Sequence, residues 1–162
     1  MPLLKDGKLT DDPFVYVDGD AEIPADRAII VPLARWKSDR DALRGRSAGL
    51  GVRLKSDESP AEIADDLDSL AVVALDFPVF KDGRSYSSAR LLRERYGYQG
   101  EVRAVGDVGL EQLHFMQRAG FDAFEIDSDD PEKDWQTAQG DVSIWYQPTG
   151  DGRPTVAQQR KS

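Results

Sequence analysis

Three apolar stretches decide the fold: residues 71–77 read AVVALDF, residues 101–105 read EVRAV, and residues 121–126 read FDAFEI. The first is a nearly continuous apolar run, which is typical of a strand buried on both faces. Two segments of helical composition, residues 87–96 and 110–118, lie between the three stretches. Strand, helix, strand, helix, strand in this order predicts right-handed crossovers and a parallel sheet.

Further elements are predicted on both sides of this central part. Leu3, Leu4 and Leu9 flank the turn dipeptide Asp6-Gly7, which favours a small hairpin. Ser59 followed by Pro60 is a good start signal for a helix. The other predicted strands cover residues 14–17, 28–31, 51–55 and 141–146, and the other predicted helices cover residues 33–46, 60–70 and 131–139.

These elements predict one α/β domain over residues 1–147, followed by a flexible polar tail at residues 148–162. We expect a mainly parallel sheet of about four to six strands with flanking helices. A truncated barrel-like arrangement of βα units is the alternative, because the strand FDAFEI after a helix is typical of barrel repeats.

Composition excludes several classes of site. The chain of 162 residues has no cysteine and one histidine, so a disulfide, a cysteine-ligated iron–sulfur cluster or a histidine-rich metal site is not expected. Neither a GxxxxGK[ST] loop nor a GxGxxG turn after a strand occurs, so no nucleotide or flavin cofactor is predicted. We therefore expect no cofactor and no metal ion.

The net charge of −9 disfavours nucleic acid and anionic membranes as partners. The N-terminal residues MPLLKDGKLTDD contain neither a basic region nor a long apolar run, and no segment approaches the length of a membrane helix. These features predict a cytoplasmic protein.

A basic segment stands out in this acidic chain. Residues 77–104 carry six basic and three acidic side chains. Several of them lie near a predicted helix start that follows a buried strand, and such helix starts favour anions. Arginine contacts oxyanions with two parallel N–H groups. We therefore predict a ligand-binding rim that consists of Arg84, Tyr86, Ser87, Arg90, Arg93, Arg103 and Asp107.

Ordinary structural roles remain open for these residues. Arg90 and Glu94 have the spacing of a helix-surface ion pair. Asp76, Asp107 and Asp127 follow three successive predicted strands, where they could hold a metal, transfer a proton or simply cap helices. Asp107 is the candidate catalytic residue, because Gly106 beside it allows close approach of a ligand. The lone histidine, His114, is expected to be structural or a surface residue.

Arg103 lies in the middle of a strand that is expected to be buried under a helix. An unpaired charge in that position would be strongly unfavourable, so a carboxylate partner is predicted. Glu101, Asp76 and Asp107 are the candidates, and Asp76 or Asp107 is preferred because each shares the predicted rim.

Residues 77–126, which include KDGRSYSSARLLRERYG and GEVRAVGDV, resemble a bacterial domain-of-unknown-function family that is catalogued as an oxidoreductase of sulfite reduction. The resemblance implies genes that neighbour those of assimilatory sulfite reductase, and it brings no established catalytic residues. The motif residues are Phe80, Asp82, Gly83, Arg84, Tyr86, Ser87, Arg90, Arg93, Arg103, Gly106 and Asp107.

Sulfite reduction runs on siroheme and an iron–sulfur cluster, and a chain without cysteine cannot hold that cluster through thiolates. We therefore expect an accessory protein of assimilatory sulfate or sulfite reduction rather than the reductase itself. It would bind a small oxyanion, or dock on sulfite reductase or adenylylsulfate reductase, through the arginine-rich rim. A small enzyme acting on a phosphorylated or sulfated metabolite and an interaction module without a small ligand are the alternatives.

Overall fold

A computed structural model describes residues 3–77 and 84–137 of the chain and places eight strands in one sheet. The strands are β1 (Leu3–Lys5), β2 (Lys8–Thr10), β3 (Phe14–Tyr16), β4 (Ala28–Pro32), β5 (Leu50–Leu54), β6 (Val72–Phe77), β7 (Glu101–Gly106) and β8 (Ala123–Glu125). The helices are α1 (Leu33–Ser38), α2 (Arg40–Arg44), α3 (Arg84–Arg90) and α4 (Leu113–Ala119), with 3₁₀ segments at Pro60–Ser69 and Leu110–Gln112. A π-helical segment, Leu91–Arg95, continues α3, and residues 131–137 are helical.

The order of the strands follows the chain. Strands β3 to β8 are parallel, and each lies beside the next one in sequence. The hairpin of β1 and β2 extends the sheet by antiparallel pairing of β1 with β8. Asp6 and Gly7 both have positive φ values (53° and 82°), as a tight two-residue hairpin turn requires.

The two faces of the sheet are packed differently. Every crossover from β3 to β8 moves in the same direction along the sheet, and crossovers of one hand place their helices on one face. Val73, Leu75 and Val102 face this side and form one core with the helices. The opposite side, which we call the inner face, holds a separate apolar cluster that includes Val72 and Val105.

The sheet curls into a half-barrel around the inner face. Asp12 precedes β3 and Arg103 belongs to β7, yet their side chains form a salt bridge of 2.8 Å. Tyr16 on β3 likewise bonds to Glu125 on β8. Since β3 and β8 are five places apart in the sheet order, these contacts require strong curvature. The predicted mainly parallel α/β fold is confirmed, in the form of its barrel-like alternative.

Some boundaries differ from the sequence-based expectation. The eight described strands exceed the expected four to six, because the hairpin and β3 extend the sheet at its two edges. The predicted helix 33–46 is divided at Asp39, whose φ and ψ (−113° and 21°) are not helical and whose carboxylate binds Arg35. The predicted helix start at Ser59 is confirmed, since Ser59 Oγ accepts a hydrogen bond from the amide of Ala61 at the start of the 3₁₀ segment. The predicted strand 141–146 and the tail 148–162 lie outside the described residues.

Within the described part of the chain, no helix combines the length and the apolar character needed to span a bilayer.

Candidate functional site

Helix α3 provides the first surface of the candidate site, and its first turn is fixed to the end of β6. Ser85 is buried, and its Oγ donates a hydrogen bond of 2.8 Å to the backbone oxygen of Asp76. The ring of Tyr86 packs edge-on against Phe77, with 5.4 Å between the ring centroids. These two contacts hold the start of α3 at the carboxyl-terminal edge of the sheet.

A cleft of about 480 Å³ lies between α3 and α4. Its lining residues, which we call the α3–α4 patch, are Tyr86, Arg90, Gln112, Phe115 and Arg118. Phe115 is 53 % exposed, while its neighbours Leu113 and Met116 are buried. The hydroxyl of Tyr86 donates to Gln112 Oε1 at 2.7 Å, which links α3 to the turn before α4.

The patch combines a neutral donor with two cations. Burial, and secondarily the negative charge of Glu111, raises the pKa of Tyr86, so its phenol stays protonated at neutral pH. Arg90 and Arg118 are both exposed at its border. An exposed aromatic ring beside two guanidinium groups is the kind of surface that can contact an acidic partner or an anion.

Arg84 and Ser87 lie on another face of α3, in a shallower cleft of about 350 Å³. Arg84 Nη2 donates a hydrogen bond of 3.2 Å to Ser56 Oγ. Asp57 and Glu58 line the same cleft, so the charge of Arg84 stands beside two carboxylates. The electrostatic environment of this cleft is therefore mixed rather than positive.

Arg93 is engaged with the backbone of two turns. Its Nε donates to the Gly120 oxygen at 2.9 Å, and its Nη1 donates to the oxygens of Tyr98 and Gly100 at 2.8 and 2.7 Å. Its Nη2 lies 3.3 Å from Asp122 Oδ1. The side chain therefore joins the turns that precede β7 and β8, and most of its donors are already in use.

Arg103 is fully buried on the inner face. It forms a two-nitrogen pair with Asp12 (2.8 and 3.2 Å), and it bonds to Glu101 at 2.7 Å and Glu125 at 3.3 Å. The predicted buried ion pair is therefore present, and Glu101 is confirmed as one of the candidate partners. The preferred candidates, Asp76 and Asp107, are wrong, since the other two partners are Asp12 and Glu125.

The correction for Arg103 has a geometric reason. Alternate residues of β7 point to opposite faces, and Arg103 points away from the helices rather than under one. Curling of the sheet then brings Asp12 over it from the far edge, and the ring of Phe14 lies 5.8 Å from its guanidinium carbon.

The buried cluster also controls the protonation of its members. Burial acts to lower the pKa of Arg103, but the hydrogen bond to Asp12 and the charge of Glu101 outweigh this effect and raise it. Burial, together with the hydrogen bond to Glu125, raises the pKa of Tyr16. At neutral pH the cluster therefore contains a permanent cation, Arg103, and a protonated phenol, Tyr16, that donates a hydrogen bond to Glu125.

The aspartates predicted at the strand ends do not converge. Asp76 pairs with Arg53, whose Nη2 is 3.1 Å from Asp76 Oδ1. Asp107 and Asp127 are exposed, and the Asp107 amide donates to the Phe77 oxygen at 2.7 Å. Within residues 3–77 and 84–137, no group of three or more acidic or histidine side chains is placed to hold a metal ion.

The structure thus divides the predicted rim. Tyr86 and Arg90 share the α3–α4 patch, Arg84 and Ser87 share the neighbouring cleft, and Arg93, Arg103 and Asp107 lie apart from both. His114 is buried on α4, in agreement with a structural role.

Sequence reasoning did not identify Phe115, Arg118 or Arg53. Phe115 could have been found because it is an apolar residue that does not share the helix face of Leu113 and Met116, which are buried. The signal for Arg53 was a charge between the apolar residues 52 and 54 of a strand.

Comparison with protein families matches residues 51–157 to a bacterial protein family of unknown function, DUF934. The match covers about two thirds of the chain and includes β5 to β8, α3 and α4. No curated protein and no solved structure matches this chain at a significant level.

Proposed function

Since the chain belongs to the bacterial family of unknown function DUF934, we propose its function from the α3–α4 patch. We propose an accessory protein of assimilatory sulfate and sulfite reduction that docks on sulfite reductase or adenylylsulfate reductase through this patch. The exposed ring of Phe115, which lines the same cleft as Arg90 and Arg118, is the observation that carries the docking part. The resemblance of residues 77–126 supports the link to sulfur metabolism, including the oxidoreductase system in which the protein would act.

The residue types of the patch support docking to a protein. Tyrosine, phenylalanine and arginine are enriched in the centres of protein interfaces, where a few such residues account for most of the binding energy. Phe115 offers apolar area, and Tyr86 is held in place by its hydrogen bond to Gln112. A ring that is already ordered loses little conformational freedom on binding.

Charge supports an acidic partner surface. The chain carries a net charge of −9, so most of its surface repels an acidic protein. Arg90 and Arg118 provide local positive charge around Phe115. Complementary charge of this kind selects the orientation of the encounter and speeds association.

An accessory role also agrees with the composition. A six-electron reduction of sulfite needs redox centres, and the sequence has no cysteine to ligate an iron–sulfur cluster. In this proposal the reductase performs the chemistry, and the protein described here binds to it.

The test is binding of the full-length protein to each of the two purified reductases from the same bacterium. Phe115→Ser is expected to raise Kd roughly tenfold or more, because truncation of a central interface residue typically costs at least 1–2 kcal/mol. Arg90→Glu is expected to lower the association rate most strongly at low salt.

Leu9→Ser is the matched control, since Leu9 is 54 % exposed on β2, away from the patch. It should bind with the affinity of the parent. The proposal fails if neither reductase forms a complex with the parent, or if Phe115→Ser binds as tightly as the parent does.

A further inference from the structure

Arg53 and Asp76 form an ion pair on the inner face that the docking proposal does not use. Each is the residue before the last in its strand, β5 or β6, so both lie at the carboxyl-terminal mouth of the half-barrel. Barrels of parallel strands bind their ligands at that end. The side chains are 38 % and 22 % exposed, so a small molecule can reach them from solvent.

The guanidinium of Arg53 lies over the aromatic ring of Tyr16. Its central carbon lies 5.6 Å from the centroid of the Tyr16 ring. The Tyr16 hydroxyl donates to Glu125, which is itself bonded to the buried Arg103. Arg53 therefore rests on a ring whose position is fixed by the buried cluster.

The polar contacts continue through the interior, since Arg103 binds Glu101 and Glu101 binds Lys5 at 3.1 Å. Barrel interiors are usually filled by branched apolar side chains. Such a filling would be at least as stable as a buried network of charges. The advantage of this network over an apolar filling is therefore that it positions the ring of Tyr16, on which Arg53 lies at the mouth.

Arg53 has hydrogen-bonding capacity left at the mouth. The salt bridge to Asp76 uses Nη2, and among the described residues Nε and Nη1 have no hydrogen-bond partner. Because Nη2 carries two hydrogens, one complete two-nitrogen edge of the guanidinium is available. An oxyanion can accept two parallel N–H bonds from such an edge.

Gly106 keeps the mouth open beside the ion pair. It ends β7 with a φ of +90°. A Cβ atom at this position would lie 2.5 Å from Asp76 Oδ1 and 2.6 Å from the Phe77 backbone oxygen. Only glycine can take this backbone conformation without displacing the Asp76 carboxylate.

We propose that Arg53 binds a small oxyanion of the sulfite, sulfate or phosphate type at the mouth of the half-barrel. These ions share the required chemistry, which is a pair of oxygen atoms spaced to accept both N–H bonds of one guanidinium edge. Asp76 and Tyr16 are positioning residues that fix the guanidinium. The site lies on the face opposite the helices, so it does not depend on the α3–α4 patch.

The test is calorimetric titration of the full-length protein with sodium sulfite, sulfate and phosphate in separate experiments at constant ionic strength. The parent is expected to bind at least one of the three ions saturably, and Arg53→Met should weaken that binding roughly tenfold or more. Arg44→Met is the matched control, because Arg44 is also half-exposed and paired with a carboxylate, Asp66. It should bind like the parent.

An NMR titration of the unsubstituted protein keeps the test independent of the folding of any variant. The amide signals of residues 52–54 and 105–107 should shift saturably with the bound ion, while those of α4 should not. The ion that binds most tightly then shows whether the ligand is a sulfur oxyanion or a phosphate group. Absence of saturable binding by all three ions, shifts confined to other regions, or unchanged binding by Arg53→Met would each overturn the proposal.

Discussion

At the scale of single residues, Arg103 is the group on which the inner face depends. It is fully buried and forms ion pairs with three carboxylates, from the segment before β3 and from strands β7 and β8. Each carboxylate is kept from repelling the others by the same guanidinium. Such a cluster tolerates loss of its central cation poorly, because Asp12 and Glu125 then lose the cation that they share and only Glu101 keeps another, Lys5.

We expect Arg103→Met to lower the free energy of unfolding by about 3–5 kcal/mol, and Arg103→Ala to lower it further because it adds a cavity. Urea unfolding at neutral pH measures both effects. Lys37→Met breaks an exposed ion pair with Glu62 and should cost less than about 1 kcal/mol. Similar small losses in all three variants would show that the buried cluster does not stabilise the fold.

At the scale of secondary-structure elements, one side chain from the helical segment after α3 joins the turns at which β7 and β8 begin. Arg93 donates to the carbonyl groups of Tyr98, Gly100 and Gly120. Asp122 completes this connection, since its Oδ1 accepts the Val102 amide at 2.7 Å. A residue that was predicted to bind a ligand therefore connects the turns that precede two neighbouring strands.

Asp122 makes the stability of this connection depend on pH. Burial raises the pKa of the Asp122 carboxyl group above its ordinary value, although the Val102 amide and the charge of Arg93 act to lower it. The Asp122 carboxyl group therefore binds its proton more tightly in the folded state than in the unfolded chain. The stability that this proton binding contributes is fully present below the pKa of Asp122 in the unfolded chain. It is lost as the pH rises through the higher pKa of Asp122 in the folded state.

Asp122→Asn cannot ionise and keeps an oxygen for the Val102 amide. We therefore expect its free energy of unfolding, relative to the parent, to increase as the pH is raised from about 4 to 7. Denaturant unfolding at several pH values measures this difference. Asp65→Asn, at an exposed position, shows whether removal of any negative charge has the same effect. A relative stability that falls with rising pH would contradict the argument.

At the scale of the whole molecule, the curvature of the sheet brings its distant strands into contact. Asp12 and Tyr16 come from the β3 edge and reach Arg103 and Glu125 near the other end of the sheet. Bonds between such distant strands close the half-barrel over the inner face. They also cover Ile30 and the other apolar residues that no helix shields.

Tyr16→Phe tests this closure. The substitution removes the donor to Glu125 and should lower the free energy of unfolding by about 1.5–3 kcal/mol, the usual value for a hydrogen bond to a charged group. It should also speed hydrogen exchange of the Val17 amide, which bonds to Ile30 beside the closure. Tyr96→Phe is the control and should change stability by less than about 0.5 kcal/mol. Equal effects of the two substitutions would show that the Tyr16 hydroxyl does not close the sheet.

Local patterns in the sequence were enough to predict the order of the strands and helices and the class of fold. Apolar runs such as residues 71–77 marked the buried strands, and the alternation of strands with helices required parallel pairing. The hairpin at Asp6-Gly7 and the start at Ser59 were also predictable, because turn and cap chemistry depend only on neighbouring residues. The burial and pairing of Arg103 followed from the cost of an isolated charge inside a strand.

The pairing of Arg103 with Asp12 and Glu125, instead of the preferred Asp76 or Asp107, was decided by the tertiary structure alone, as was the division of the predicted rim. The sequence predicts a helix over residues 87–96 that contains several arginines, but it does not show which neighbour covers each face of that helix. Arg93 is bound to two turns because β7 and β8 pair side by side, and Asp12 reaches Arg103 because the sheet curls through strands β4 to β6. Both results arise from the summed twist and register of several strands, which no local segment encodes by itself.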